Sequence, residues 1–311
     1  MLDLIMIPSR VLVCSILALL AACASGASTA GGDSPVGDDA LAPDMGAFRV
    51  YRGDGRPARV AAIVDQMEVA SVVFVGEEHD DTIGHRVEAL ILSEGVRRWG
   101  SRPVVVSLEM FERDVQGVVD EYVGGLINEP NFLAAARPWA EYRTAYRPLV
   151  ELARARKLRV LAANAPRRYV NLVSREGMAA LTQLTPDALR FLPPLPLPEP
   201  SAAYRARFDS VTAGSADHEG MPPHAFDGQW LWDIGMGSSV AGALADQPDA
   251  LVFHYAGGFH VERGLGTVEA LQHYRPGTSS LVVTILKVRD PADFDPDEHA
   301  GLADFVVLTR N

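Results

Sequence analysis

Short apolar runs rich in β-branched residues alternate along the chain with longer segments whose apolar positions recur every three to four residues. The runs are Ser71 to Val75, Pro103 to Leu108, Leu158 to Ala162, Ala250 to Tyr255, Ser280 to Val288 and Asp304 to Leu308. Strands buried on both faces read this way, because neither face needs polar positions. Helical spacing covers Ile83 to Trp99, Val115 to Leu126, Tyr146 to Lys157 and Gln229 to Ala245. The alternation predicts βαβ units and an α/β fold, with a mainly parallel central sheet flanked by helices. Extra material over about 111–147 and 174–227 predicts an inserted helical cap over the C-terminal ends of the strands. Within it, FLPPLPLPEP from Phe191 to Pro200 cannot be helical, since proline lacks an amide donor and fixes its φ. It predicts a stiff connector.

The N-terminus changes the picture of where the chain works. MLDLIMIPSRVLVCSILALLAACASG has the form of an export signal: Arg10, an apolar run from Val11 to Leu20 too short to span a bilayer, then small residues. Leu20-Ala21-Ala22-Cys23 is the lipobox pattern of bacterial lipoproteins, so residues 1–22 are expected to be removed and Cys23 lipidated. Residues 23–47, rich in Gly, Ala, Ser and Asp, read as a flexible tether to a domain of residues 48–311. Cys14 lies in the removed part, so no disulfide and no thiol catalyst is expected. Ala24 after Cys23 resembles lipoproteins kept at the outer membrane, which predicts a cell-envelope, lipid-anchored location. A net charge of −12 without a long basic run argues against a nucleic-acid partner.

In a parallel sheet the C-terminal strand ends share one rim, where ligands bind. Four predicted strands end in polar groups: Gly76-Glu77-Glu78-His79, Ser107-Leu108-Glu109-Met110, Ala163-Asn164-Ala165-Pro166 and Gly257-Gly258-Phe259-His260. Two of these are Gly-x-x-His, where glycine would let the chain turn sharply. Any one of them alone reads as a helix cap or loop residue; the convergence of four places Glu77, Glu78, His79, Glu109, Asn164 and His260 around one pocket. Asp233, near the start of GQWLWDIGMGSSVAGAL, joins the set as a partner for His79 or His260, or as a cap. Such a cluster could bind a divalent metal through His79 and His260, exchange protons, or hold the polar edge of a large ligand.

The stretches VVFVGEEHDDTIGHRVEALIL, PVVVSLEMFERDVQ, PWAEYRTAYRPLVELARARKLRVLAANAPRRYV and YAGGFHVERGLGTVEAL, with the helix above, resemble the ChaN-like haem-binding lipoproteins. That family belongs to a superfamily that also holds the TIKI/TraB proteases and the erythromycin esterases. The resemblance covers about residues 60–290. It implies a haem-binding α/β domain with a helical cap, serving bacterial iron or haem uptake, and a homodimer enclosing two cofacial haems. An outer-membrane haem receptor is the implied partner. The implied iron ligand is a tyrosinate, whose anionic oxygen favours ferric haem. Tyr142, Tyr146, Tyr169 and Tyr204 are the candidates, each beside arginines; Arg143, Arg147, Arg167 and Arg168 are candidates for the propionates. Their alternative readings are packing for the tyrosines and solvated helix charges for the arginines.

The superfamily also implies a second reading, a hydrolase or metalloprotease using Glu77, His79, Glu109 and His260 around a water or metal. A third, a ligand-free scaffold, would fill the rim with salt bridges. Of the remaining histidines, His254 reads as a satisfied core residue inside a strand and His85 as first-turn helix. His218, Met221 and His224 read as loop decoration, and His273 and His299 as surface.

Overall fold

The strands are β1 (Phe48–Arg52), β2 (Pro57–Ala58), β3 (Val72–Glu77), β4 (Val104–Glu112), β5 (Arg159–Asn164), β6 (Leu251–Gly257), β7 (Ser280–Val288) and β8 (Phe305–Arg310). A computed structural model describes residues 46–213 and 220–310. The signal segment, Cys23, the tether up to residue 45 and His218 therefore lie outside the described residues. All eight strands join one sheet in the order β2-β1-β8-β7-β3-β6-β4-β5. The six expected runs form its parallel part, β8 to β5. Two strands were not expected: β1 runs antiparallel to β8, and β2 antiparallel to β1. Alternation in FRVYR is weak, and pairing with β8 rather than local pattern makes it a strand.

Helices α1 (Val60–Gln66), α2 (Thr82–Trp99), α3 (Gln116–Val123), α4 (Glu129–Ala136) and α5 (Arg147–Arg156) pack on one face. Helices α6 (Arg167–Glu176), α7 (Pro186–Leu189) and α8 (Ala202–Thr212) precede α9 (Ala225–Asp246) and α10 (Thr267–Tyr274); α9 and α10 cover the other face. A short α11 (Pro296–His299) precedes β8. The first cap segment begins within β4, which runs on to Glu112 through an irregular register after Leu108. The second cap segment packs on the N-terminal half of α9 through Leu181, Leu192, Tyr204, Phe226 and Trp230. The proline-rich connector is non-helical as expected, and Trp230 Nε1 donates to its Pro198 carbonyl at 2.8 Å.

Period-two alternation decides which face each strand-end group enters. In β3, Val73 and Val75 join the core under α2 while Val72 and Phe74 face α9. Glu77 continues the first row, so it leaves the sheet toward α2. In β6, His254 and Ala256 continue the α9 row. Asp81 starts α2 by accepting from Ile83 N and Gly84 N, which supplies the acceptor that the first helical amides lack. That cap sets His85 into the first turn directly behind the β3 end.

Candidate functional site

Strands β3, β6 and β4 are neighbours, and their C-terminal ends bring Glu77, His79, Glu109 and His260 together. A Cβ placed on Gly257 would stand 3.2 Å from His79 Nε2 and 3.7 Å from His260 Cδ2, so both rings flank one point. Neither Gly76 nor Gly257 has a positive φ. The glycines are there for close approach, not for a sharp turn: a Cβ on Gly76 would lie 2.8 Å from Val261 Cγ2 and 3.0 Å from Gly258 Cα.

On the α2 side, Glu77 is buried and Oε1 accepts from His79 Nδ1 at 2.7 Å and from the Tyr146 hydroxyl at 2.8 Å. His85 Nδ1 stands 3.4 Å from Glu77 Oε2 and 3.1 Å from Glu88 Oε2, while its Nε2 donates to the His79 carbonyl at 3.0 Å. Burial opposes ionisation of Glu77, yet hydrogen bonds from His79 and His85 hold its carboxyl well below the usual range. The hydrogen bond to Glu77 raises His79. Burial opposes the charge on His85, but Glu77 and Glu88 push it up to about 11. Burial and the Glu77 charge drive Glu88 well above the carboxylate range.

On the α9 side, His260 Nδ1 donates to Asp233 Oδ1 at 2.9 Å, and Thr267 Oγ1 donates to the same oxygen at 2.9 Å. The Tyr204 hydroxyl donates to Asp233 Oδ2. His260 Nε2 lies 3.5 Å from Glu109 Oε1, whose Oε2 accepts from Gly257 N at 2.8 Å. Burial alone would keep His260 neutral, but Asp233 and Glu109 raise it to about 9. Each of the two imidazoles thus has a buried carboxylate on Nδ1, the arrangement that orients a histidine and lets it carry a proton. His79, with its side chain 48% exposed, is the one open to solvent.

The other expected site residues fall elsewhere. Glu78 turns away, accepting from Lys287 N at 3.1 Å. Asn164 is buried at the β5 end, and its Oδ1 has no hydrogen-bond partner among the described residues. Tyr142 is enclosed by Phe111 and Phe132, with burial pushing its phenol up. Tyr146 and Tyr204 are fully buried and committed to Glu77 and Asp233; burial and those carboxylates push both phenols up. As tyrosinate ligands these three are corrected: an anionic oxygen cannot form beside a buried carboxylate or in a dry core. Tyr169 is half-buried in the first turn of α6, three residues beyond Pro166, and is covered by the Arg168 guanidinium at 4.4 Å.

The arginines form a charged band rather than a free cluster. Arg167 pairs with Glu112, Arg168 with Asp114, and Arg137 bridges both acids at 3.1 and 2.7 Å. Arg147 pairs with Glu129 at 2.6 Å, and Arg143 is exposed. Two residues beyond Arg137, Trp139 meets the His79 ring edge-on at 4.9 Å. His254 is only half satisfied: Nδ1 bonds Ser107 Oγ at 2.8 Å and Nε2 has no hydrogen-bond partner among the described residues, while burial lowers it to about 3 and keeps it neutral. His299 is buried, not at the surface, because its Nδ1 accepts from Asp295 N. His224 is exposed beside Asp227.

Sequence reasoning missed His85 and Glu88. The available signal was a His and a Glu three apart in an otherwise apolar helical stripe, both in core register. A cavity of about 550 Å³ opens within the second cap segment, lined by Met178, Leu195, Leu197, Arg205, Phe226 and Trp230. None of the four candidate tyrosines lines it. Another of about 380 Å³ lies at the N-terminal ends of β7 and β8, away from the rim. Among the described residues no helix is long and apolar enough to cross a membrane.

An α/β sheet whose rim carries two carboxylate-backed imidazoles under helical segments defines the class. The model of the family described as haem-binding uptake, Tiki superfamily, ChaN matches residues 63–271, and the chain belongs to that family. ChaN of Campylobacter jejuni, solved with cofacial haem, superposes with a TM-score of 0.60 at 15% identity, covering 85% of this chain and 98% of that one. That likeness bears on the fold. A mutant of erythromycin esterase EreC in its open conformation superposes more loosely, with a TM-score of 0.46 at 11% identity over 84% of this chain and 82% of that one. No curated protein matches the sequence. The family expected from the motifs is therefore the family found.

Proposed function

We propose that this chain is a haem-binding uptake protein that holds haem at the sheet rim with Tyr169 as iron ligand. Family membership supports the haem-binding class. The observation that carries the assignment is that, of the four candidate tyrosines, Tyr169 alone is neither enclosed in the core nor bonded to a buried acid. The Arg168 guanidinium lies over its ring at 4.4 Å. An anionic phenolic oxygen is a suitable ligand for ferric haem.

The surroundings fit the group. Trp139 and the open His79 ring offer flat apolar and polar contacts beside the arginine band. Arg143 is exposed, and Arg167 is held by an ion pair at a largely exposed position. Such pairs contribute little to stability, on the order of 0–1 kcal/mol, so propionates could replace the acid partners. Haem supplies the iron; the chain supplies the oxygen ligand, the stacking surface and the cations. Lipid anchoring through Cys23 in the outer membrane, a homodimer closing two rims on each other, and exchange with a haem receptor complete the proposal. They rest on the lipobox and the family likeness.

A haem titration followed by absorbance tests it. Saturable binding near one haem per chain is expected, lost in Tyr169→Phe and kept in Tyr142→Phe. Retention of the same spectrum in Tyr169→Phe would sink the ligand assignment.

A second reading has its own observation, the meeting of His79 and His260 at Gly257 with Glu77, Asp233 and Glu109 behind them. That geometry suits a hydrolase in which one imidazole carries a proton to a leaving group while a carboxylate activates water. Hydrolysis of an ester or peptide, abolished in both His79→Ala and His260→Ala and kept in Tyr169→Phe, would favour it.

A further inference from the structure

Behind the rim, Glu77, His85 and Glu88 form a closed group whose ligand atoms all lie within 4.8 Å of one another. Glu88 is fully buried and Glu77 is 4% exposed. Among the described residues no nitrogen or hydroxyl donates a hydrogen bond to Glu88 Oε1, and Glu77 Oε2 has only its 3.4 Å ion-pair approach to His85. Two adjoining buried carboxyls with so few donors are costly, since removal from water is offset only by a proton, a donor or a cation.

From this arrangement we infer that Glu77, His85 and Glu88 bind one divalent first-row metal ion, of the zinc type. The chemistry of His85 is the first support. Its Nε2 faces a carbonyl, which only accepts, so Nε2 carries a proton and Nδ1 is the atom turned to the two carboxylates. A metal-bound histidine is held in this same way, its second ring nitrogen donating to a backbone carbonyl. Spacing is the second support. Ligands about 2.1 Å from a tetrahedral zinc ion stand roughly 3.4 Å apart. His85 Nδ1 lies 3.1 Å from Glu88 Oε2 and 3.4 Å from Glu77 Oε2.

Charge balance is the third support. Two carboxylates and a neutral imidazole neutralise a dication, and two oxygens and a nitrogen suit zinc, manganese or iron rather than calcium. Three protein ligands leave a fourth position for water. Without a metal, the same balance is met by protons on His85 Nδ1 and between the two carboxyls; these protons leave to solvent when the ion enters. The ion would pin the start of α2 to the end of β3. Through Glu77 Oε1 it would orient His79, whichever ligand the rim takes.

The test uses the full chain, stripped with a chelator, equilibrated with zinc sulfate and freed of excess ion. One zinc per chain is expected, with cobalt(II) in its place giving the visible absorption of a tetrahedral site. Glu88→Gln and His85→Gln are expected to weaken zinc binding at least about tenfold, since even changes to groups behind the ligands cost about 10 to 100-fold. His260→Ala is expected to keep it, and His79→Ala, which removes a donor to Glu77 Oε1, is expected to weaken it without abolishing it. Zinc well below one per chain overturns the inference. So does zinc kept in Glu88→Gln but lost in His79→Ala, which would assign the ion to the rim imidazoles. Should the glutamine variants fail to fold, the wild type decides: the cobalt spectrum and a rise in melting temperature with zinc must both appear, and absence of either rejects the site.

Discussion

Replacing Asp233 with alanine removes the acceptor on which three buried donors converge, from His260, Thr267 and Tyr204. His260 would be left as a buried imidazolium with Glu109 as its nearest counter-charge, at 3.5 Å. Breaking a buried ion pair by removing one partner costs about 3–5 kcal/mol, and that is the expected loss near pH 6. The loss should itself depend on pH. His260 rises from an unfolded value near 6.5 to about 9, mainly against burial and through Asp233 and Glu109. A raised histidine contributes stability that is fully present below pH ~6.5 and disappears as pH climbs through about 9. The full rise corresponds to about 3 kcal/mol at 1.36 kcal/mol per pH unit. Above that range the variant should lack only the hydrogen bonds of Tyr204 and Thr267, roughly 1–3 kcal/mol. Urea unfolding of wild type and Asp233→Ala between pH 6 and 10 measures both quantities. A difference under about 1 kcal/mol at pH 6, or one that stays flat with pH, would refute the linked network.

Three further outcomes are expected. Gly237→Ala should destabilise by roughly 1–3 kcal/mol in denaturant, because its Cβ would lie 2.6 Å from Ala270 Cβ and 2.8 Å from Leu271 N where α9 crosses α10. An unchanged midpoint would mean the helices separate freely. Ser107→Ala should cost roughly 1–3 kcal/mol by removing the one hydrogen-bond partner that His254 has among the described residues, with no change in haem spectrum; a spectral change would place His254 in the ligand path. Asp81→Ala should cost about 0.5–2 kcal/mol through loss of the α2 cap. It should also speed amide exchange at Ile83 and Gly84, and protection equal to wild type would dismiss the cap.

Strand and helix existence was legible because β-branched runs and 3.6-residue stripes are local properties, and the six parallel strands followed from them. β1 and β2 were not, since they owe their form to β8, far along the chain. The rim acids and histidines were legible as strand-end residues. Their pairing was not: His79 with Glu77 is two residues apart, but Asp233 with His260 and Tyr204 depends on α9 lying across the sheet. The tyrosines make the same point. Four looked alike as neighbours of arginine, and only burial separated Tyr169 from three committed to the core or to an acid.

What the sequence by itself determined was the family, the α/β class and the residue types at the strand ends, because motifs, hydrophobic period and turn chemistry are carried by neighbouring residues. What only the tertiary structure decided was contact and access: which imidazole opens to solvent, which carboxylates lie side by side, and which phenols are enclosed in the core. Those properties arise from the removal of water and the meeting of charges from distant segments, and no short window of the chain contains them.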